Sequence, residues 1–133
     1  MGRTILVALA TATAGLTAGA ALAAGQAALN GLQTGLWNLN EIGVNDSGRD
    51  LCVATPEQFI QIYHPGMACS RYVLNESPDK VTVHYTCQGR GYGRTTVSVE
   101  TPQLIKVDTQ GIGPDGRPFD KSFEGRRRGT CAR

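Results

Sequence analysis

The sequence predicts an all-β fold, an antiparallel meander that forms a small barrel or half-barrel. Apolar and polar residues alternate with a period of two through most of the chain after residue 34. Clusters of Gly, Pro, Asn, Asp and Ser recur about every 8 to 12 residues, a spacing typical of antiparallel sandwiches and barrels. The four cysteines suit a small domain that is held together by disulfides.

The amino terminus has the pattern of a secretory signal peptide. Arg3 supplies one positive charge, and no further charged residue precedes position 25. Ala21-Leu22-Ala23 provides the small residues of a cleavage site. The sequence therefore predicts a signal peptide at residues 1–23 and a single mature β domain at residues 24–133.

This pattern also predicts where the protein resides. A transmembrane anchor is disfavoured by the Gly and Thr content of the apolar stretch, and a lipid anchor because the first cysteine is Cys52. We expect an exported, periplasmic protein that is soluble after cleavage, with no membrane insertion of the mature chain.

Charge and cysteine spacing exclude two classes of partner. The chain has 13 basic and 11 acidic residues, and loss of Arg3 leaves 12 basic residues. Such a balance gives no reason to expect a nucleic-acid partner. Neighbouring cysteines are 17, 18 and 44 positions apart, whereas zinc sites use close pairs. We therefore expect two disulfides, no metal and no cofactor.

Seven extended segments follow a short region, residues 25–33, that we interpret as a linker. They are expected at residues 36–42, 50–54, 69–76, 80–88, 94–100, 103–112 and from Pro118 onward. The alternation predicts which side chains face inward. These are Val81, Val83, Tyr85, Cys87, Val97, Val99, Ile105, Val107, Phe119 and Phe123.

One short helix is expected after the second strand. Thr55 suits the N-cap, Pro56 the first helical position, and Gln58 completes a capping box. The helix must end before Pro65, because a residue that precedes proline avoids the helical region. This leaves about two turns.

The third and fourth extended segments predict the disulfide pairing. If Glu76 and Lys80 close a hairpin around a three-residue turn, Cys69 and Cys87 lie directly opposite each other on neighbouring strands. The remaining two cysteines then pair across most of the domain. The predicted disulfides are Cys69–Cys87 and Cys52–Cys131.

The single tryptophan opens the first strand in the motif Gly35-Leu36-Trp37, which resembles the start of lipocalin-like barrels. That resemblance implies a basic side chain across the ring, and Arg127 has the same parity as the inward phenylalanines of the last segment. The alternative, which we favour, is that Trp37 anchors the core and residues 126–128 are a solvated strand end.

The search for residues that could carry chemistry gives one candidate. Arg90, Tyr92 and Arg94 surround a glycine-rich turn and are interpreted as a possible binding edge; a phosphate loop is disfavoured because a strand follows, not a helix. His64 and His84 have no recognisable nucleophile or carboxylate arrangement beside them. We predict no catalytic, cofactor or metal residues.

Several short stretches of the sequence together resemble a known family. They are GLW, LCV-x-TPEQF, HPGMACSRYV, VTVHYTCQGRGYGRTTVSVETPQLI and a closing RRRGTC, in order around the four cysteines from Leu32 to Cys131. The chain resembles the bacterial domain-of-unknown-function family numbered 3617. This resemblance implies a small exported β protein of the cell envelope and implies no reaction and no site residues.

Three function classes are compared on this basis. The first is a non-enzymatic structural or protein-interaction role, with an unknown envelope protein as partner. Calycin-like binding of a small apolar ligand is the alternative, and it requires that the modest inward valines leave the interior hollow. A hydrolase is the least supported class.

Overall fold

The computed structural model describes residues 27–132, so the predicted signal peptide and the mature start at Ala24 lie outside the described residues. This part of the chain is all-β, as predicted, with seven antiparallel strands in one sheet. In chain order the strands are β1 Gly35–Glu41, β2 Arg49–Val53, β3 Ser70–Ser77, β4 Lys80–Thr86, β5 Tyr92–Thr101, β6 Leu104–Ile112 and β7 Pro118–Gly129.

The sheet is open. Its strand order is β2-β1-β7-β6-β5-β4-β3, so β3 to β7 form a meander and β7 then pairs with β1. The two edge strands, β2 and β3, do not pair with each other, and the barrel is therefore not closed. No helix among residues 27–132 is long and apolar enough to cross a membrane.

One face of the sheet, the inner face, carries the hydrophobic core. The predicted alternation places its side chains correctly, because period-two residues of a strand share a face. Buried on this face are Trp37, Leu39, Val81, Val83, Tyr85, Val97, Ile105, Val107, Phe119 and Phe123, with Val99 half-buried. The other face, the outer face, is mainly polar.

Residues 54–67, the covering segment, lie over the inner face, and here the predicted two-turn helix is wrong. The helical element is a single 3-10 turn, Pro56–Phe59. Its start follows the prediction, since Gln58 Oε1 accepts from Thr55 N (3.0 Å). The turn stops because the Ile60 carbonyl accepts from Thr95 Oγ1 on β5 (2.6 Å) instead of continuing a helical ladder.

The interpretation of residues 25–33 as a linker is also wrong for the residues that the structure describes. Ala28, Leu29 and Leu32 are buried in the core. The Gln33 carbonyl accepts from Trp37 Nε1 (2.9 Å). The stretch is short and rich in Ala and Gly, and it was not read as a core element although Ala28, Leu29 and Leu32 share a helix-like spacing.

Both predicted disulfides, Cys69–Cys87 and Cys52–Cys131, are confirmed. The hairpin that predicted the first of them closes differently, because Ser77, not Glu76, pairs with Lys80. A bulge between Val73 and Asn75 then shifts the register by one residue. Beyond the bulge the pairing has the predicted register.

Candidate functional site

The edge strands β2 and β3 border a cleft of about 580 Å³ that is also lined by the covering segment. This cleft occupies the place where a closed barrel would join its first and last strands. Its lining combines apolar, amide and charged side chains. The lining residues are Arg49, Asp50, Leu51, Ala54, Thr55, Gln58, Gln61, Ile62, Pro65, Gly66, Met67 and Arg71.

Arg71, on β3, is held in place by a buried glutamine. Gln61 is 6% exposed, and its Nε2 donates to the carbonyls of His64 (2.9 Å) and Met67 (2.8 Å). Its Oε1 accepts from Arg71 Nη2 (2.8 Å). Both N–H groups of the amide are therefore used, and its oxygen fixes one guanidinium nitrogen at the cleft while the other donors of Arg71 remain available.

Arg49, on β2, lies over the ring of Phe123 at 5.5 Å in a cation–π contact. Asp50 points to the outer face, where its Oδ1 accepts from Asn38 Nδ2 (2.8 Å). Among residues 27–132, neither Arg49 nor Arg71 has a carboxylate within 4.0 Å. The charged residues that line the cleft are therefore these two arginines and Asp50, whose carboxylate is bound to Asn38.

Beneath the covering segment, His64 is fully buried and links that segment to the sheet. Its Nε2 lies 2.8 Å from the Arg90 carbonyl, which only accepts, so Nε2 carries the proton. Nδ1 lies 2.9 Å from Tyr85 Oη, within hydrogen-bond distance. Gly93 leaves the space for this tyrosine, because a Cβ there would lie 2.5 Å from Tyr85 Oη.

Burial raises the pKa of Tyr85 from 10.0 to about 12. The folded state then holds this proton more tightly than the unfolded state, so the resulting stabilisation is complete below pH 10 and is lost as the pH rises towards 12. Since one pKa unit corresponds to about 1.4 kcal/mol, we expect a loss of about 2 to 3 kcal/mol across this interval.

Urea unfolding at pH 9 and at pH 11.5 measures this effect. Tyr85→Phe should lower stability by about 1 kcal/mol at pH 9, through the lost hydrogen bond, and should show a flatter dependence above pH 10 than the unchanged protein. Parallel pH curves for the two proteins would contradict the assignment to Tyr85.

The structure separates the residues of the predicted binding edge, because Arg90 lies apart from Tyr92 and Arg94. Arg90 lies in the turn between β4 and β5, with its carbonyl bound to His64. Tyr92 and Arg94 lie on β5 and share the outer face, away from the cleft. Both are exposed, and the Tyr92 ring lies 5.9 Å from that of His84.

The predicted pair Trp37 and Arg127 is adjacent in register between β1 and β7. Trp37 is fully buried, and its ring meets Phe59 edge-on with centroids 5.1 Å apart. Arg127 Nε donates to the Thr34 carbonyl (2.8 Å). Among the described residues, the guanidinium that lies over an aromatic ring is that of Arg49.

Sequence reasoning missed the cleft. Its residues belong to three separate stretches, and each stretch reads locally as a strand start, a helix or a turn. The one available signal was the absence of acidic residues near Arg71. The described residues also contain no group of three His, Cys, Asp or Glu side chains that could hold a metal ion.

Fold and site define a class: an all-β protein with an open seven-stranded antiparallel sheet, two disulfides and a cleft between its edge strands. No protein-family model matches the chain, and a search of curated proteins finds no similar sequence. The resemblance to the family numbered 3617 therefore stays a prediction.

Proposed function

We propose that this chain is an exported, non-enzymatic protein-interaction module that binds an extended, acidic segment of an envelope partner in the cleft between β2 and β3. The observation that carries the proposal comes from residues 27–132: the cleft lies between the two edge strands of the sheet and is lined by the guanidinium groups of Arg49 and Arg71, neither of which has a carboxylate within 4.0 Å there.

The strand edges supply the backbone part of the interaction. An edge strand presents N–H and C=O groups that a further extended segment can pair with, the mode called β-augmentation. β3 is eight residues long and nearly all exposed. A bound segment would place one set of alternate side chains against Leu51, Ile62 and Met67 in the cleft.

The arginines supply the charge selectivity. A carboxylate that reaches Arg71 can bind the donors that Gln61 leaves free, and Arg49 is already oriented by Phe123. Charged groups that are fixed before binding cost less conformational entropy when the complex forms. Acidic side chains on the partner are therefore favoured over neutral ones.

The remaining parts of the proposal have separate support. Two disulfides are typical of oxidising compartments, which agrees with the signal pattern of residues 1–23. A non-enzymatic role is favoured because both ring nitrogens of the buried His64 are used in hydrogen bonds and all four cysteines are oxidised.

Selection of random peptides on the folded domain tests the cleft. We expect selected peptides with alternating apolar and acidic residues, and Arg49→Ala with Arg71→Ala should weaken their binding about tenfold in titration calorimetry. Arg117→Ala is the matched control, because Arg117 lies in the β6–β7 turn with its side chain 85% exposed. Peptides that bind equally to the double variant would contradict the proposal.

A second candidate, a small apolar ligand, is favoured by one observation. The cleft volume of about 580 Å³ lies within the range of about 300 to 1,000 Å³ that is usual for small-ligand sites. An amphipathic carboxylate would suit it. The inner face offers no comparable support, because Val81, Val97 and Val107 are fully buried under the covering segment. Titration with dodecanoate distinguishes this candidate from the peptide.

A further inference from the structure

The outer face carries a row of side chains that neither the core nor the cleft uses. Strand register aligns five residues across five strands. They are Tyr72 on β3, His84 on β4, Arg94 on β5, Gln110 on β6 and Asp120 on β7. Tyr92 lies beside this row, one step along β5. We call these six residues the outer row.

The aromatic members of the outer row are unusually exposed for a β-sheet face. Tyr72 is 75% exposed and Tyr92 is 46% exposed, with His84 between them on β4. Strand spacing places the two tyrosines about 10 to 12 Å apart. Exposed aromatic rings contribute little to folding, and two of them on one sheet face leave apolar surface that a ligand can cover.

The polar members differ from those of the neighbouring row. In that row, Thr82 bonds to Thr96 and Asp108 accepts from Ser122, so the side chains satisfy one another. In the described part of the chain, the side chains of Arg94, Gln110 and Asp120 make no such hydrogen bonds, although their strands are directly paired. Their donors and acceptors remain available for a ligand.

The shape of this surface suits a ligand that is built from more than one ring. Two adjoining depressions of about 400 and 390 Å³ share Arg94, Gln110 and Asp120 as a common wall. One extends towards His84 and Tyr92, and the other towards Thr96 and Ser122. A ligand made of repeated polar rings could place one ring in each depression.

We propose that the outer row binds a neutral oligosaccharide. Pyranose rings have an apolar face of C–H groups that packs on aromatic rings, which Tyr72 and Tyr92 provide. Sugar hydroxyls both donate and accept, so they require donors and acceptors together, and Arg94, Gln110 and Asp120 provide both. This site shares no residue with the cleft and does not depend on the function proposed for it.

The charge pattern selects a neutral ligand over a polyanion. Arg94 is paired in register with the amide of Gln110, Asp120 lines both depressions, and Asp108 lines one of them. These carboxylates would repel the phosphates of a nucleic acid, which needs a continuous positive surface. Because the positive charge of Arg94 and the negative charge of Asp120 nearly balance along the outer row, we expect an uncharged glycan as the ligand.

Titration of the isotopically labelled, disulfide-bonded protein with fully N-acetylated chitotetraose and with cellotetraose, followed by amide chemical shifts, tests this proposal. We expect saturable shifts at the outer row with at least one of these probes. Raising the salt concentration from about 50 to 500 mM should change the affinity less than twofold, because no counterions are released.

Variants make the assignment specific. Tyr72→Ala and Tyr92→Ala should each weaken binding about tenfold, while Ile42→Ala, an apolar residue that is 53% exposed in the β1–β2 turn, should leave binding unchanged. If a variant fails to fold, the location of the shifts in the unchanged protein decides instead. The proposal is overturned if neither probe binds up to about 10 mM, if the shifts lie outside the outer row, or if an oligothymidylate binds there more tightly.

Discussion

Replacing Cys52 and Cys131 together by serine is expected to lower the free energy of unfolding by about 4 to 5 kcal/mol. This disulfide joins residues 79 positions apart, so it removes more conformational freedom from the unfolded chain than the shorter loop does. It also acts on the folded state. Cys52 lies on the edge strand β2, opposite Leu36 of β1, and Leu36 pairs in turn with Gly129 near the carboxyl end.

Urea unfolding of the two double variants gives the measurement and its control. The Cys69–Cys87 loop spans 18 positions, and its removal should cost about 3 kcal/mol in the same chain-entropy model. The ranking of the two variants is therefore fixed by loop length. A larger loss from removing Cys69–Cys87 would show that local geometry, not loop closure, decides their contributions.

The strands could be predicted because the alternation of apolar and polar residues is a local property of the sequence. Each observed strand overlaps its predicted segment, and the bounds differ by only a few residues at most ends. The last strand illustrates the physical reason. Phe119 and Phe123 lie four residues apart and both face the core, as a period of two requires.

The sheet order was less accessible, since it depends on contacts between distant segments. β1 pairs with β7, and residues such as Trp37 and Arg127 meet across 90 positions of chain. The alternation of apolar and polar residues along each strand cannot by itself show whether an antiparallel sheet closes into a barrel. In this molecule β2 and β3 do not pair, and the cleft that they line together with the covering segment lies between them.

The first disulfide shows how a correct pairing can come from an imperfect hairpin. The sequence placed the turn one residue too early, and the bulge near Val73 removed that difference before the strands reached Cys69 and Cys87. A bulge of this kind has no reliable sequence signal when no glycine marks it. The pairing was correct because both cysteines face the same inner side.

The helix was wrong for a tertiary reason. Phe59, Ile62 and Tyr63 have helical spacing, and the capping residues were read correctly. Thr95 on β5 nevertheless donates a hydrogen bond to the Ile60 carbonyl. The Tyr63 ring stacks on Phe119, with centroids 4.1 Å apart. Local propensity is worth only tenths of a kcal/mol per residue, so such contacts override it.

Candidate sites were visible in the sequence only where one short stretch supplied the residues. Tyr92 and Arg94 were noticed, together with Arg90, because they surround a glycine-rich turn. Gln110 and Asp120 join them through strand register, which the sequence did not determine to the residue. The cleft was invisible for the same reason, since Arg49 and Arg71 approach it from opposite edges of the sheet.

Phe59→Ala is expected to lower the free energy of unfolding by about 3 to 5 kcal/mol, the usual cost of removing a fully buried phenylalanine side chain. Phe59 is the covering segment's contact with the tryptophan of the sheet, edge-on to Trp37. Its loss leaves a cavity beside Trp37, and the 3-10 turn that ends at Phe59 is too short to hold position through its own hydrogen bonds.

Urea unfolding measures the total cost, and the near-ultraviolet circular dichroism of Trp37 reports on the contact itself. Phe59→Leu retains most of the volume and should cost less than Phe59→Ala, because the residual cavity is smaller. Amide exchange then separates two mechanisms. If the covering segment opens on its own, exchange should accelerate at residues 54–67 while β4 and β5 stay protected. A loss below about 1 kcal/mol would show that Phe59 does not anchor this segment, and that His64 and Thr95 hold it instead.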